Sequence, residues 1–308
     1  MNKLKNILTI ILFFTFLYVL FKYNYILNIS VIDGVNLWLY KIFPSLFIMF
    51  ILNNIIINTN LLHPLIKYTY KPFNKIFNTS GNSSLAFFLS IFSGTPSSAF
   101  ILKEMIETKE IDYNSANKLI SFTYFSNPLF LYNILSLTFN KYITIKIIII
   151  HYISNIFIGL FLRNKKQSYF YTNTTNKINF NFISILPNAI KKSLDTLIMI
   201  LGTVVFYLIL TNLITNIFNF NLFSTILIKG LFEITQSLNI LNTLQNVSII
   251  KEIIAISIIS FGGLAIHTQV LSLINNTNIS YKNFFIGRIL HVLISASTYI
   301  FITTCTIS

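Results

Sequence analysis

Few side chains in this sequence suit chemistry inside an apolar environment, and they fall in a handful of short stretches. "GRILH" sets Arg288 and His291 on one helical face, with Ser295 a further turn on. "SFGGLAIHTQV" (260–270) carries Gly262, Gly263, His267 and Gln269, and "GLFEITQSL" carries Glu233 with Gln236 one turn away. "FSNPLF" holds Asn127 before Pro128, and "SIFSGTPSSAF" (90–100) gathers Ser93, Gly94, Thr95, Pro96 and Ser97. All lie within long apolar runs, where an ionisable group is costly unless it is paired or wetted. The Gly and Pro residues break helices: Pro removes a backbone donor and clashes with the preceding turn, and Gly enters conformations closed to other residues. A half-helix starting near Pro96 would aim its positive end at whatever occupies the break. No nucleophile–base pair, metal-ligand spacing, phosphate loop or dinucleotide glycine pattern is legible. The expectation is a binding site with no catalytic residue, metal or cofactor.

The setting is a membrane. Of 308 residues 54% are hydrophobic and 10% charged, and the mean hydropathy is +0.72. Several windows reach the roughly 20 apolar residues needed to cross a bilayer, and the alternation of a membrane β-barrel is absent. Ile, Asn, Lys, Phe and Tyr dominate, as expected of an AT-rich coding bias. The net charge of +14 is therefore partly compositional and does not point to nucleic acid. Residues that the bias works against gain weight: nine Gly, six Pro, and the two arginines, Arg163 and Arg288. Lys3 and Lys5 ahead of Ile7–Phe21 resemble a signal peptide, but no small-residue cleavage site is evident, so an uncleaved first helix is expected.

The runs Ile7–Phe21, Val35–Ile57, Leu119–Phe139, Ile143–Leu162, Leu197–Phe218 and Phe284–Thr304 read as crossings. Ser83–Leu102, Leu222–Leu241 and Ile249–Leu273 read as interrupted stretches that do not cross. The organisation expected is an N-terminal helix (1–30), a first repeat (31–162), a polar cytoplasmic linker (163–195) and a second repeat (196–308). Shifting the first repeat by 168 residues brings Gly94 onto Gly262 and Tyr113 onto Tyr281. With that topology, 14 of the 22 basic residues lie on one side, with both termini, while Lys22, Lys141, Lys251 and Lys282 lie opposite. Three crossings separate the breaks at Gly94 and Gly262, so the second stretch is upside down relative to the first. The fold class expected is an all-α polytopic membrane protein of two inverted repeats with broken or re-entrant helices, the arrangement of secondary transporters. Taken singly, each glycine-bearing stretch also fits close helix packing. Glu252 reads as a segment end, His63 and His151 as packing or interfacial residues, and Lys41 and Lys146 as snorkelling.

"FSGTPSSA", "NPLF", "GLFEIT", "SFGGLAIHTQV" and "RILH", in this order and spacing, resemble the sporulation integral membrane protein YlbJ family. The resemblance covers nearly the whole chain. The family falls in the nucleoside-recognition, or gate-domain, group, which is distantly similar to concentrative nucleoside transporters. It implies an endospore-forming bacterium and transport of dipicolinic acid across the outer forespore membrane of the mother cell. The chain departs from the family pattern at Thr95, Ser98 and Phe100, where Tyr, Gly and Lys are usual, so that half-site's side chains transfer less well than its break. Dipicolinate is a flat pyridine with two carboxylates. Arg288 and His267 would take the carboxylates, the Arg fork in bidentate geometry. His291 lies beside Arg288. Ser93 to Ser97, Gly262 and Gly263 would offer backbone donors at opposed half-helix ends, with Asn127 and Gln269 as amide contacts. Glu233 would pair with Arg288 in the empty site or carry a proton. The lipid bilayer is the other partner implied, and a homo-oligomer or association with other sporulation membrane proteins fits the resemblance. Two other readings stand beside this one: a transporter of nucleosides or another small solute, and a non-transporting membrane scaffold of spore assembly.

Overall fold

The apolar runs fold as helices. A computed structural model describes residues 2–59, 61–163, 182–244 and 248–307, and every regular element in them is helical. Helix α1 (Asn2–Lys22) meets α2 (Asn24–Leu37) at Tyr23, and α2 passes through a π-helical turn, Trp38–Ile42, into α3 (Phe43–Thr59). Helix α4 (His63–Phe77) is amphipathic and ends on Asn78 in the left-handed conformation. Helices α5 (Ser83–Ser93) and α6 (Ser97–Glu107) pack together as a hairpin about Gly94–Pro96. Helix α7 (Tyr113–Phe122) is separated from α8 (Pro128–Leu135) by the non-helical 123–127, and α9 (Lys141–Phe161) follows.

The same order then recurs. After the long α10 (Phe182–Phe218) comes a hairpin, α11 (Leu222–Phe232) and α12 (Ile234–Thr243), folded at Glu233 so that the Ser237 hydroxyl donates to the Ile226 carbonyl at 2.7 Å. A broken helix, α13 (Ile249–Phe261) and α14 (Gly263–Ile274), turns at Gly262, and the long α15 (Tyr281–Ile307) closes the described chain. Hairpin, broken helix, long helix thus occurs twice. Among the described residues, five stretches are long and apolar enough to cross a membrane: Asn24–Thr59, Lys141–Phe161, Ile185–Phe218, Ile249–Ile274 and Tyr281–Cys305. Large apolar side chains such as Ile149, Phe206 and Phe301 face outward along them, as lipid-facing positions require.

Local sequence explains most boundaries. Asp112, Asn140, Asn221 and Ser248 each accept a backbone N–H at the start of α7, α9, α11 and α13, the role these short polar side chains fill best. Several expected boundaries shift. Leu119–Phe139 is not one spanning helix, because Pro128 and the polar 123–127 divide it. Val35–Ile57 is the latter part of a stretch that starts at Asn24. The polar linker is shorter than 163–195, because α10 has begun by Phe182 and "NAIKKSLD" lies inside it. Lys165, Lys166 and Lys177 fall outside the described residues.

The largest correction concerns Ile249–Leu273. The Gly262 break does not fold the chain back, and the 26-residue stretch is long enough to cross. Asn117 at the start of α7 binds the loop ahead of α15 three ways: its amide donates to the Asn278 carbonyl (3.2 Å), its oxygen accepts from the Ser280 N–H (2.6 Å), and its carbonyl accepts from Asn283 (3.0 Å). Glu104, held by Lys192 at 2.7 Å and by Asn54 at 3.2 Å, joins α6 to α10 and α3. The other end is marked by Lys146 of α9, which lies 3.7 Å from Glu252 of α13 and 3.2 Å from Thr303 of α15. Lys282 therefore joins the basic end, and the end of α15 lies opposite, so the expectation that the chain ends on the basic side fails. The 168-residue register also fails to follow the elements, since it lays a hairpin tip on a broken helix. Glu252 does mark a segment end, in the first turn of α13, and there it forms an interhelical tie with Lys146.

A cysteine-labelling experiment checks this topology. The chain's single cysteine, Cys305, is exposed. A membrane-impermeant maleimide will reach it from the side opposite to the one that labels cysteines placed at Asn278 or Lys109 in a Cys305→Ser background. Labelling of Cys305 and position 278 from the same side would return α13–α14 to a non-crossing stretch.

Candidate solute-binding site

Each break in a helix exposes backbone groups that lipid cannot satisfy, so their partners define the site. The carboxyl ends are covered by side chains from neighbouring helices. Asn127 donates to the Phe92 carbonyl (3.2 Å) and Tyr152 to that of Ile91 (3.3 Å) at the end of α5. Arg288 Nη2 donates to the Ser121 carbonyl (2.9 Å) at the end of α7, and His267 Nε2 sits 3.2 Å from the Phe261 carbonyl at the end of α13. Two amino ends carry their own caps. Asn127 accepts the N–H groups of Leu129 and Phe130 at α8, and Glu233 accepts that of Gln236 (3.1 Å) at α12, with the Thr235 hydroxyl on the same carboxylate. The amino ends of α6, at Pro96, and α14, at Gly262, have no side-chain cap.

Residues of three breaks and of the first turns of α14, just past the fourth, line one small cavity of about 70 Å³. Thr95 and Pro96 reach it from the first hairpin tip, Ser126 and Asn127 from the gap between α7 and α8, Glu233 and Thr235 from the second tip, and Ala265 and Gln269 from α14. The Gln269 amide donates to the Thr203 hydroxyl at 3.0 Å. Ile42, Leu46, Phe130, Ile200 and Val204 make the remaining walls apolar. The breaks depend on glycine where they touch. Gly94 has φ +77°, and a Cβ there would lie 2.6 Å from the Asn127 nitrogen; Gly262 has φ +92°, and a Cβ there would collide with the Tyr124 hydroxyl.

Behind the cavity the unwound 121–126 segment is held by polar side chains of α9 and α15. Arg288 is fully buried. Its guanidinium bonds the Ser121 carbonyl, Asn155 Oδ1 (3.3 Å) and His291 Nδ1 (2.9 Å), and lies 4.0 Å from the centre of the Tyr124 ring. Asn155 donates to the Tyr124 carbonyl, His151 Nε2 accepts the Ser126 N–H (3.2 Å), and Tyr152 donates to the Ser126 carbonyl (2.8 Å). His291 Nε2 reaches the His151 carbonyl at 2.9 Å. These bonds fix the tautomers. His291 presents a bare Nδ1 to the Arg288 donor and carries its proton on Nε2, and His151 carries its proton on Nδ1. No carboxylate pairs with Arg288 among the described residues. Its charge is met by carbonyls at the negative end of α7 and by the Tyr124 ring face.

Of the residues expected in a site, Thr95, Pro96, Asn127, Glu233 and Gln269 line the cavity. Arg288 and His291 do not; they stand behind Tyr124 as a brace, and the fork expected for a solute carboxylate is taken by the chain itself. Glu233 is not paired with Arg288. His267 caps α13 and meets the Tyr281 hydroxyl at 2.8 Å. Ser93 is tied to Asn53 of α3 (2.7 Å), and Ser97 is buried with no hydrogen-bond partner among the described residues. Gly262 and Gly263, both at positive φ, shape the junction of α13 and α14. His151, read as packing, belongs to the brace, and the His63 side chain lies outside the described residues. Tyr124, Asn155, Ser126 and Thr235 were not foreseen. Asn155 follows His151 by one helical turn, a signal that the abundance of Asn in this composition obscured.

The brace makes a stability prediction. Arg288→Ala leaves buried acceptors on Ser121, Asn155 and His291 without a donor, which costs about 3–5 kcal/mol. The detergent-solubilised variant will melt well below the wild type. Arg288→Lys, with one donor head in place of a planar fork, will fall between. Tyr124→Phe will melt near the wild type, because it keeps the ring face that meets the Arg288 guanidinium. An Arg288→Ala protein as stable as the wild type would show that the brace carries no load.

No family model and no solved structure matches the chain. It is similar to the Bacillus subtilis (strain 168) protein named "Sporulation integral membrane protein YlbJ", with 24% identity over 298 aligned residues, covering 83% of this chain and 72% of the relative. That similarity and the all-helical, multi-pass architecture support the assignment of the chain to the YlbJ family of sporulation integral membrane proteins.

Proposed function

We propose that this protein is a membrane transporter of a small anionic solute, and that the solute is dipicolinate, moved across the outer forespore membrane during spore formation. The observation that carries the reading is the convergence of four helix breaks on one cavity within a bundle of membrane-length helices. Breaks at membrane depth are tolerated where they line a cavity or are buried in protein, and paired discontinuous helices are how secondary transporters build a site. The hairpins would enter from opposite faces, because the three passages α7–α8, α9 and α10 separate them. That makes the two series an inverted repeat.

The two uncapped amino ends, α6 and α14, favour an anion. Each lacks a side-chain cap and presents a positive dipole end, and a dicarboxylate can span two such ends. The apolar walls suit a flat aromatic ring. The cavity is far smaller than the roughly 300–1,000 Å³ of a pocket that encloses a ligand, so loading requires the hairpin tips to part. Glu233 opposes an anion while it is charged, and a proton on it, or its rotation out of the cavity, accompanies loading.

A second reading, a nucleoside transporter, draws on the same lining. Glu233, Asn127, Gln269 and the Ser126 and Thr235 hydroxyls are a set that would hydrogen-bond a ribose. Uptake by purified protein in liposomes separates the two. Dipicolinate will accumulate at least tenfold faster than in protein-free vesicles, with uridine at background. Uridine flux without dipicolinate flux would replace the first reading by the second, and flux of neither would leave the scaffold reading.

A further inference from the structure

We propose that α4 is a docking surface for the anionic headgroups of the surrounding bilayer, and that the lipid bound there supports the first hairpin. Helix α4 starts and finishes at the same end of the bundle. It follows α3, whose Asn54 is tied to Glu104 and Lys192 at the basic end, and its cap residue Asn78 accepts from Lys118 there at 3.4 Å. A 15-residue helix is about 22 Å long, too short to cross and return, so α4 lies along the interface.

Its two faces differ. Ile66, Phe73, Asn74 and Phe77 are buried. Lys67, Lys71 and Lys75, spaced four residues apart and so aligned on one face, are exposed together with Tyr68 and Ile76. None of the three lysines makes an ion pair among the described residues. A row of exposed ammonium groups without carboxylate partners, flanked by an exposed aromatic and an aliphatic side chain, is the pattern of an interfacial helix on an anionic membrane. The charge complement is a lipid phosphate, and the apolar side chains fit the headgroup–acyl boundary, which a soluble phosphate does not offer.

The buried face leads to the cavity. Phe73 and Phe77 pack on Phe87 of α5 with centroids 5.1 and 5.8 Å apart, Phe77 stacks on Phe122 of α7 at 5.1 Å, and Thr69 donates to Ser84 of α5 at 3.1 Å. Helix α5 carries the hairpin tip with Thr95 and Pro96. Headgroups that hold α4 in the interface therefore hold the outer support of that tip.

The test is lipid retention by the full chain in detergent, read by native mass spectrometry during titration with phosphatidylglycerol or phosphatidylcholine. It is independent of transport, so failure of the transport reading does not touch it. Wild-type protein will retain phosphatidylglycerol in preference to phosphatidylcholine. The triple variant Lys67→Gln, Lys71→Gln, Lys75→Gln will lose that preference by about a hundredfold, at roughly fivefold per lysine. Each single variant will lose about fivefold, and the triple Lys→Arg variant will keep the preference. Lys141→Gln with Lys282→Gln, two exposed lysines away from α4, will bind as the wild type. Equal retention of the two lipids by the wild type, an unchanged triple variant, or full competition by equimolar inorganic phosphate would each overturn the proposal.

Discussion

A backbone donor or acceptor inside a bilayer has no water to turn to, and this structure breaks four of its helices where that constraint is severest. An unpaired buried polar group costs on the order of 1–3 kcal/mol or more, and each break exposes several. The chain answers with side chains sent from intact neighbours: Arg288 and His267 on two carboxyl ends, Asn127 and Tyr152 on a third, and Asn155, His151 and Tyr152 along the unwound 121–126. The long helices α9 and α15 are therefore more than lipid-facing walls, because they supply the groups that make the α7–α8 break affordable. The amino ends of α6 and α14 are left without a side-chain cap.

The ion pairs of the described residues divide between the two ends of the bundle. At the basic end Glu104 gathers Lys192 and Asn54, joining the first hairpin to α10 and α3. At the other end Glu252 accepts from Tyr299 and pairs with Lys146, whose ammonium also lies 4.1 Å from the Tyr299 ring centre, joining α9, α13 and α15. Neither pair contributes much net stability: the Lys192 side chain is half-exposed and screened, and desolvation offsets the attraction between Lys146 and Glu252. Their effect is positional. The first fixes one arm of a hairpin, and the second binds together the helices that brace the opposite break.

Much of this could be read from the residues alone. Gly94 with Pro96, Asn127 with Pro128, and Gly262 with Gly263 announced their breaks, because those residues are hard to place in a continuous helix and ran against the compositional bias. The Glu233 turn was marked less by a breaker than by an acid in an apolar run. The direction of the chain after Gly262 was not legible. A left-handed glycine permits either a reversal or a local kink, and only the contacts of Asn117 with the loop at 278–283 decide for the kink. The role of Arg288 was misread for a related reason. Its rarity singled it out, but a guanidinium matches a backbone carbonyl as well as a solute carboxylate, and sequence does not say which lies in reach. The abundance of Asn concealed Asn155 among residues that do nothing comparable.

The central claim is that the cavity joining the four breaks is the place where solute crosses. The most direct test is accessibility of Thr95, at the first hairpin tip. In a Cys305→Ser background reconstituted in liposomes, a Thr95→Cys variant will be inactivated by a charged, membrane-impermeant thiol reagent added from either side, and dipicolinate will slow the reaction at least tenfold. Modification from both sides with protection by solute is the result predicted. A cysteine that never reacts, or that reacts equally fast with solute present and leaves flux intact, would contradict the account.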